Sequence, residues 1–325
     1  MTARVVHVVP RLGLSGPVRS LAAMASCWPT GRSDVRHHVV ALEARAAPPA
    51  VLLLRREGVE LTIGADPPTR DRVLDAADLV VVHYWNCPSM VAFLQRPWPP
   101  SRVLLWIRTY GLHPPQVVPE AFVALADGVL VTTPATQRSP ALRRPGRLPT
   151  VVAPGIADMR RLEGVTPRPH DGFVVGYVGT VSFGKLHPRF VELCAAVDVP
   201  GVRFVVCGGG GDEDRLRQAA QACGMAERFD VRGHVEDVGS VLAECDAFGY
   251  PLRVDTYASS EKAVQEAMWV GVPPVVFAHG GLGDLVDHGR TGLVARSEPE
   301  YVAHLERLAT DPDLRRRLGE AARAH

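Results

Sequence analysis

The sequence predicts an α/β protein built from two doubly wound parallel sheets, and three observations carry that expectation. Short β-branched runs alternate with longer helical stretches along the chain, the pattern of βαβ units. The runs are almost continuously apolar, as strands buried on both faces are. One polar, proline-punctuated stretch, ADMRRLEGVTPRPHD at 157–171, separates the runs into two series and reads as a linker. The expected organisation is a domain over 1–156, a linker over 157–171 and a domain over 172–325.

The first series of strands is expected at 5–9 (VVHVV), 37–42, 79–85 (LVVVHYW), 102–108 (RVLLWIR), 128–133 and 150–154. The second is expected at 173–179 (FVVGYVG), 203–210 (RFVVCGGG), 229–235, 247–252, 272–277 and 292–296. Helical patterns lie between them at 17–28, 189–197, 213–224, 240–246 and 261–271, and the tail DPDLRRRLGEAARAH reads as an amphipathic helix. Ligands of open α/β sheets bind outside the carboxyl ends of the strands. Two such domains are therefore expected to face one another across a cleft.

Length and composition bound the function. A chain of 325 residues suits two domains, and 46% hydrophobic with 22% charged residues is globular composition. The formal net charge of +1 argues against a nucleic-acid partner, which needs a basic excess. No apolar run reaches the roughly 18–20 residues of an integral membrane segment. The N-terminus lacks the pattern of a signal peptide, so the chain is read as cytoplasmic. The six cysteines (Cys27, Cys87, Cys194, Cys207, Cys223 and Cys245) form no C-x-x-C pair, so they read as core thiols rather than zinc ligands or disulfides. No Asp-x-Asp cluster is placed to hold a metal against phosphate. The abundance of Ala, Arg, Pro and Gly points to a high-GC bacterial genome.

Of 36 basic residues only two, Lys185 and Lys262, are lysines. A lysine kept against such a bias suits a task that arginine does badly, such as acting as a compact point charge on a phosphate; chance retention also fits. The segment YPLRVDTYASSEKAVQEAMWVGVPPVV (250–276) leads from a strand end through Ser259 and Ser260 to a helix that starts near Glu261 and stops at Gly271. Serines there serve as N-caps, and the same helix start can cradle a diphosphate. Lys262 and Glu266 are four residues apart on one helix face. They fit either a solvated ion pair of roughly 0.3 kcal/mol or a lysine on phosphate with a carboxylate on ribose hydroxyls.

At these residues the sequence resembles the large retaining GT-B glycosyltransferase family (family 4-like, glycosyl transferases group 1). That family includes bacterial mannosyl-, glucosyl- and N-acetylglucosaminyl-transferases, and its fold is two Rossmann-like domains. The matching segments are VVGYVGTVSFGKLHP (174–188), the glycines 208–211, the Gly-His-Val-x-Asp run at 233–237, QEAMWVGVPPVVF (265–277) and GGLGDLVDHGRTGLVA (280–295). The resemblance implies that Glu266 is the second glutamate of a Glu-x7-Glu motif and binds ribose. It implies that Lys185 neutralises the donor diphosphate, that the backbone at His234 and Val235 holds the base, and that Gly281 and Leu282 lie near the transferred sugar. The chain departs from the family where Ala258 replaces the first motif glutamate and Thr180 replaces the loop arginine. TYASSEK (256–262) is similar to a Tyr-x-Ser/Thr-Ser/Thr-Glu-Asn branch, with Ser259, Ser260 and Glu261 on the donor side and Lys262 in place of Asn. Lys262 is read as restoring the charge lost at Thr180.

In the first domain, Gly13, Gly16 and Arg19 follow the first strand, where the family has a glycine loop; an ordinary βα turn fits equally. His83, Trp85 and Asn86 end one strand, and Arg108, Tyr110 and His113 end the next. Sugars stack on aromatic rings and need fixed polar partners. Trp85, Asn86, Tyr110 and His113 are therefore acceptor candidates, although Trp85 and its neighbours also fit core packing. Arg108 stands where the family carries a histidine that contacts the donor sugar. The resemblance implies metal-free, retaining transfer from a nucleoside-diphosphate sugar such as a UDP-sugar, without a cofactor. The acceptor would be a small molecule or glycan, in natural-product or surface-glycan biosynthesis. Lys185, Lys262, Arg108 and His83 are the catalytic candidates. A nucleotide-sugar epimerase, a phosphorylase and a donor-binding partner that no longer catalyses are the alternatives.

Overall fold

The first sheet is laid down by Ala3–Val9 (β1), Val35–Ala41 (β2), Glu60–Ile63 (β3), Leu79–Tyr84 (β4), Val103–Ile107 (β5), Gly128–Val131 (β6) and Thr150–Val152 (β7). Its helices are Gly16–Ser26 (α1), Pro48–Arg56 (α2), Pro67–Asp75 (α3), Pro88–Leu94 (α4) and Glu120–Val123 (α5). The second sheet consists of Val174–Val178 (β8), Arg203–Cys207 (β9), Phe229–Gly233 (β10), Ala247–Tyr250 (β11), Pro274–Phe277 (β12) and Leu293–Ala295 (β13). Its helices are Phe190–Ala195 (α6), Glu213–Ala222 (α7), Val238–Ala243 (α8), Lys262–Val270 (α9), Leu282–Leu285 (α10), Glu298–Thr310 (α11) and Pro312–Ala324 (α12). This computed structural model describes residues 2–13, 16–26, 34–98, 101–143 and 149–325. Cys27, the end of the helix expected over 17–28 and residues 14–15 of the first glycine loop lie outside them.

Both sheets are parallel throughout, in the orders β3-β2-β1-β4-β5-β6-β7 and β10-β9-β8-β11-β12-β13. In each, the chain builds three strands outward and then returns to the other side of the first of them. The order therefore reverses between β1 and β4, and again between β8 and β11. The carboxyl ends beside such a reversal are where open α/β sheets bind ligands.

Two units result, Met1–Asp158 and Met159–His325. In the first, Val6, Val8, Val40, Val80 and Val82 pack into one apolar cluster, while Val9, Val39 and Ala41 pack with α1 and α2 in another. The second unit has one continuous core. Part of the segment expected to be a linker belongs to that core: Met159–Leu162 forms a 3-10 turn, Leu162 is fully buried, and Val165 packs beside it. The terminal helix α12 buries Leu314, Leu318 and Ala322 at four-residue spacing, which defines its apolar stripe. It crosses α9 at a glycine pair, where a Cβ on Gly319 would stand 2.1 Å from the Gly271 carbonyl oxygen.

Among the described residues Cys87, Cys194, Cys207, Cys223 and Cys245 are free thiols, three of them buried. No helix among them is long and apolar enough to cross a membrane.

Candidate functional site

In the second unit the reversal point is occupied by the loops that follow β8 and β11. The first carries Lys185 and the second carries Ser259, Ser260 and Glu261. Backbone bonds tie them together: the His187 amide donates to the Pro251 carbonyl at 2.9 Å, and the Arg253 amide to the Lys185 carbonyl at 3.1 Å. A one-residue antiparallel bridge joins Leu186 to Leu252. The loop after β8 is also clamped from its other side by the glycines after β9. Val181 donates to the Gly209 carbonyl, Asp212 to the Val181 carbonyl, and the Phe183 amide to the Asp212 carboxylate at 2.8 Å. This contact requires glycine. A Cβ on Gly208 would lie 1.7 Å from the Gly179 carbonyl oxygen, and one on Gly210 would lie 2.3 Å from that of Val181. Gly208→Ala is therefore expected to destabilise the second unit by about 2–3 kcal/mol through enforced backbone displacement, read as a lowered Tm. A melting curve matching wild type would refute the clamp.

Lys185 is held by a closed triangle of hydrogen bonds. Its Nζ donates to Glu261 Oε2 at 2.7 Å and to the Tyr250 hydroxyl at 3.0 Å, and that hydroxyl donates to the same Glu261 oxygen at 2.7 Å. Tyr250 in turn stacks on Tyr177, with centroids 5.0 Å apart. Burial works against the charge on Lys185, and the Glu261 carboxylate more than offsets it, so the lysine pKa lies above its ordinary value. Burial likewise works against the charge on Glu261, but Lys185 foremost, then Tyr250 and Lys262, hold its carboxyl below the usual range. The two lysines of the chain thus act on a single carboxylate. An ammonium offers three N–H donors, and the triangle uses two of Lys185's.

Glu261 occupies the N-cap position of α9, yet its side chain makes no cap bond. Gln265 reaches back to the Ser260 hydroxyl at 2.8 Å. The helix ends at Gly271, whose left-handed backbone (φ 92°) directs its amide to Ala267 and Met268, as only glycine does without strain.

Glu266 is placed differently from the expected pairing along the helix face. It is buried, and its carboxylate is bound by Arg161 from the 3-10 turn. A signal for this lay in the arginine pair Arg160–Arg161 inside the stretch read as linker. Gly281 donates to the Ala258 carbonyl at 3.0 Å, and Leu282 opens α10 fully buried. Ala258 therefore contributes backbone to the site where the family motif has a carboxylate. His234 is exposed and Val235 half-buried in the turn between β10 and α8.

In the first unit Gly16 opens α1 after β1, and Trp85 and Asn86 follow β4 at the reversal point. The Asn86 amide donates to the Gln116 side chain at 2.9 Å, and its side-chain amide donates to the Pro115 carbonyl. Tyr110 and His113 stack with centroids 5.7 Å apart. His83, expected as a polar group at the strand end, is instead buried at 2% exposure within a chain of imidazoles that sequence reasoning missed. His83 Nε2 lies 3.1 Å from His7 Nδ1, and His7 Nε2 lies 2.9 Å from His37 Nδ1. The line continues through Trp106, whose ring is 5.2 Å from that of His83 and whose indole N–H donates to the Ala153 carbonyl. The guanidinium of Arg108 also lies over Trp106, 4.2 Å from a ring centroid. Burial first, then neighbouring His37 and Arg108, push the His7 pKa down to about 3. Burial and Arg108 hold His83 well below the ordinary value, and burial lowers Arg108 to about 10. These histidines are neutral at pH 7. The signal for them was a polar residue inside each of three apolar runs: VVHVV, HHVV and VVVHY.

Among the described residues no group of three or more His, Cys, Asp or Glu side chains is arranged to hold a metal ion. Solved structures share the fold across the chain. HepE of Anabaena, solved with UDP and glucose, superposes with a TM-score of 0.77 at 17% identity, over 99% of this chain and 94% of that one. Sucrose-phosphate synthase of Thermosynechococcus elongatus gives 0.73 at 18% identity, over 99% of this chain and 93% of that one. The architecture is GT-B. By sequence, the chain is 32% identical over 166 residues to a 2-deoxystreptamine N-acetyl-D-glucosaminyltransferase of Streptomyces fradiae, covering 45% of this chain. It is also 32% identical over 200 residues to a D-inositol 3-phosphate glycosyltransferase of Stackebrandtia nassauensis, covering 56%. These alignments span 39% and 43% of the two relatives' lengths. The family model for glycosyl transferases group 1 matches residues 158–325, just over half the chain and the whole of the lysine-bearing unit. The chain is a member of the glycosyl transferases group 1 family.

Proposed function

We propose that this protein transfers a sugar, with retention of anomeric configuration, from a nucleoside-diphosphate sugar to a hydroxyl group in bacterial biosynthesis. The observation that carries the reading is the buried pair of Lys185 with Glu261 at the reversal point of the second sheet, with Lys262, the other lysine of the chain, next to that carboxylate in sequence. The diphosphate is assigned to Lys185, Lys262 and the start of α9. Glu266 is assigned to the ribose, the turn at His234 and Val235 to the base, and Gly281 and Leu282 to the sugar. Acceptor contacts are assigned to Trp85, Asn86, Tyr110 and His113 of the first unit. Relatives named for 2-deoxystreptamine, D-inositol 3-phosphate and GDP-mannose support sugar transfer, and fold neighbours solved with UDP support a nucleotide donor.

As the glycosidic bond breaks, negative charge grows on the leaving diphosphate. Fixed ammonium groups and amide dipoles stabilise that charge without reorganising. The departing phosphate accepts the acceptor's proton, so no protein nucleophile or metal ion is assigned a step. Activity is accordingly expected to survive EDTA.

A thermal-shift panel of UDP, GDP and ADP tests the donor class. One diphosphate is expected to raise Tm selectively, because a ligand bound only to the native state stabilises it. Lys262→Ala is expected to weaken that nucleotide by about 10- to 100-fold, as one charge-assisted hydrogen bond contributes ~1.5–3 kcal/mol. Unchanged affinity would remove Lys262 from the diphosphate site. Product analysis with donor alone separates transfer from epimerisation.

A further inference from the structure

The geometry points to Glu261 as a positioning residue for Lys185, given up by its own helix for that purpose. This rests on the reading above and adds a residue and a role to it. Three observations on different elements combine. Glu261 sits at the N-cap of α9 with extended backbone (φ −73°, ψ 108°), yet makes no cap bond, whereas Asp66, Asp237 and Asp311 each accept from the amide three residues on; Asp212 at the start of α7 likewise gives its carboxylate to another element, the Phe183 amide. Its side chain turns back toward the loop after β8, 76 residues earlier in sequence, and takes the Lys185 ammonium at 2.7 Å. Tyr250 closes the triangle, and its ring is fixed from below by the stack on Tyr177. The hydroxyls of both tyrosines lie against Gly179, where a Cβ would stand 3.0–3.1 Å from each.

A lysine is a flexible four-carbon stem ending in a freely rotating ammonium. Bound at two of its three N–H groups, it keeps one, in a direction set by the triangle. Glu261 also balances its charge, so what Lys185 presents to a diphosphate is an oriented donor within a neutral pair. Ground-state attraction then falls to Lys262 and the helix start. The contribution of Lys185 rises only as charge develops on the leaving oxygen, and an interaction made only then raises turnover rather than affinity.

The test uses the full chain and whichever of UDP-glucose or GDP-mannose matches the diphosphate that shifts the wild-type Tm. Turnover is read as release of UDP or GDP with water as acceptor, and affinity as Kd for the intact UDP-glucose or GDP-mannose, in which the leaving oxygen is still bonded to the sugar. Glu261→Gln keeps shape and removes the charge. It is expected to lower kcat about 30- to 100-fold while Kd stays within threefold. Tyr250→Phe, which retains the stack but loses the hydroxyl, is expected to lower kcat about tenfold with Kd again unmoved, and Glu261→Asp to recover part of the loss. A kcat within threefold of wild type in Glu261→Gln overturns the assignment. So does a parallel fall in kcat and affinity across the variants, which marks a purely structural ion pair; Tm falls in either case, because Glu261→Gln leaves the buried Lys185 ammonium unpaired. A wild-type chain that binds neither UDP nor GDP overturns the diphosphate reading itself, and this inference with it.

Discussion

Acidification from pH 7 to pH 5 is expected to destabilise the first unit through its buried imidazoles. His7 has an ordinary pKa near 6.5 when the chain is unfolded and about 3 when folded, because burial and the neighbouring His37 and Arg108 resist its protonation. Between those values the unfolded chain binds the extra proton. The stabilisation is complete above 6.5 and declines as pH falls toward 3. Each pH unit in that window is worth about 1.4 kcal/mol per group, so His7 alone costs roughly 2 kcal/mol by pH 5. His83 acts with the same sign, since burial and Arg108 hold it well below its ordinary value. Chemical denaturation at pH 7 and pH 5, followed in the first unit, measures the loss. His7→Gln cannot titrate and should flatten the dependence. Equal slopes in variant and wild type would mean that the imidazole chain stays neutral for reasons unconnected with folding.

Replacement of Lys185 by Met is expected to lower the stability of the second unit by about 3–5 kcal/mol, the usual cost of leaving one member of a buried ion pair alone. The two side chains are only 10% and 16% exposed, so solvent does little to relieve the stranded Glu261 carboxylate. The double variant Lys185→Met, Glu261→Gln should recover most of the loss, since an uncharged pair leaves no buried charge. The pH dependence carries the opposite sign to that of the first unit. With the lysine gone, burial raises the Glu261 pKa, protonation becomes favourable in the folded state, and the single variant gains stability relative to wild type as pH falls from 7 to 5. Urea titrations of the three proteins at both pH values would show this. A double variant no more stable than the single one would rule out an uncompensated charge as the cause.

The sequence was legible where its signals are local. Every strand of the second sheet, and β1, β2, β4, β5, β6 and β7 of the first, overlaps an expected strand; most are apolar, because burial on both faces writes itself as consecutive hydrophobic residues, while the edge strand β10, FDVRG, carries exposed Asp230 and Arg232 between its apolar residues. Glu60–Ile63 was not read as a strand. It is a four-residue edge strand, partly exposed along its length, so it carries neither a long apolar run nor clean alternation. The helices Pro48–Arg56 and Pro67–Asp75 begin with consecutive prolines, which read as loop although proline suits a first helical turn.

At the site, rarity singled out the two lysines and helix-start chemistry drew notice to Ser259–Lys262. What escaped were pairings made across sequence distance: Glu261 with Lys185, Arg161 with Glu266, and His7 with His83. No period or spacing encodes a contact between residues 76 or 105 positions apart. Those contacts follow from the order in which the strands lie side by side.

The paired histidines of β2 bear on how that strand finds its place. Along VRHHVVA the two histidines are followed by two valines, so sliding the strand by one residue would place His38 and Val40 where His37 and Val39 stand on one face, and Val39 and Ala41 where His38 and Val40 stand on the other. On the first face the hydrophobic alternation that normally forbids such a slip gives no signal. The polar partners tell the alignments apart. His37 meets His7 on one face, while His38 meets Arg4, Glu60 and Thr62 on the other. Alignment of this strand thus leans on its imidazoles, and acid would act on the two faces in opposite ways: charging His37 and His7 would set them against each other, while charging His38 would strengthen its hold on Glu60.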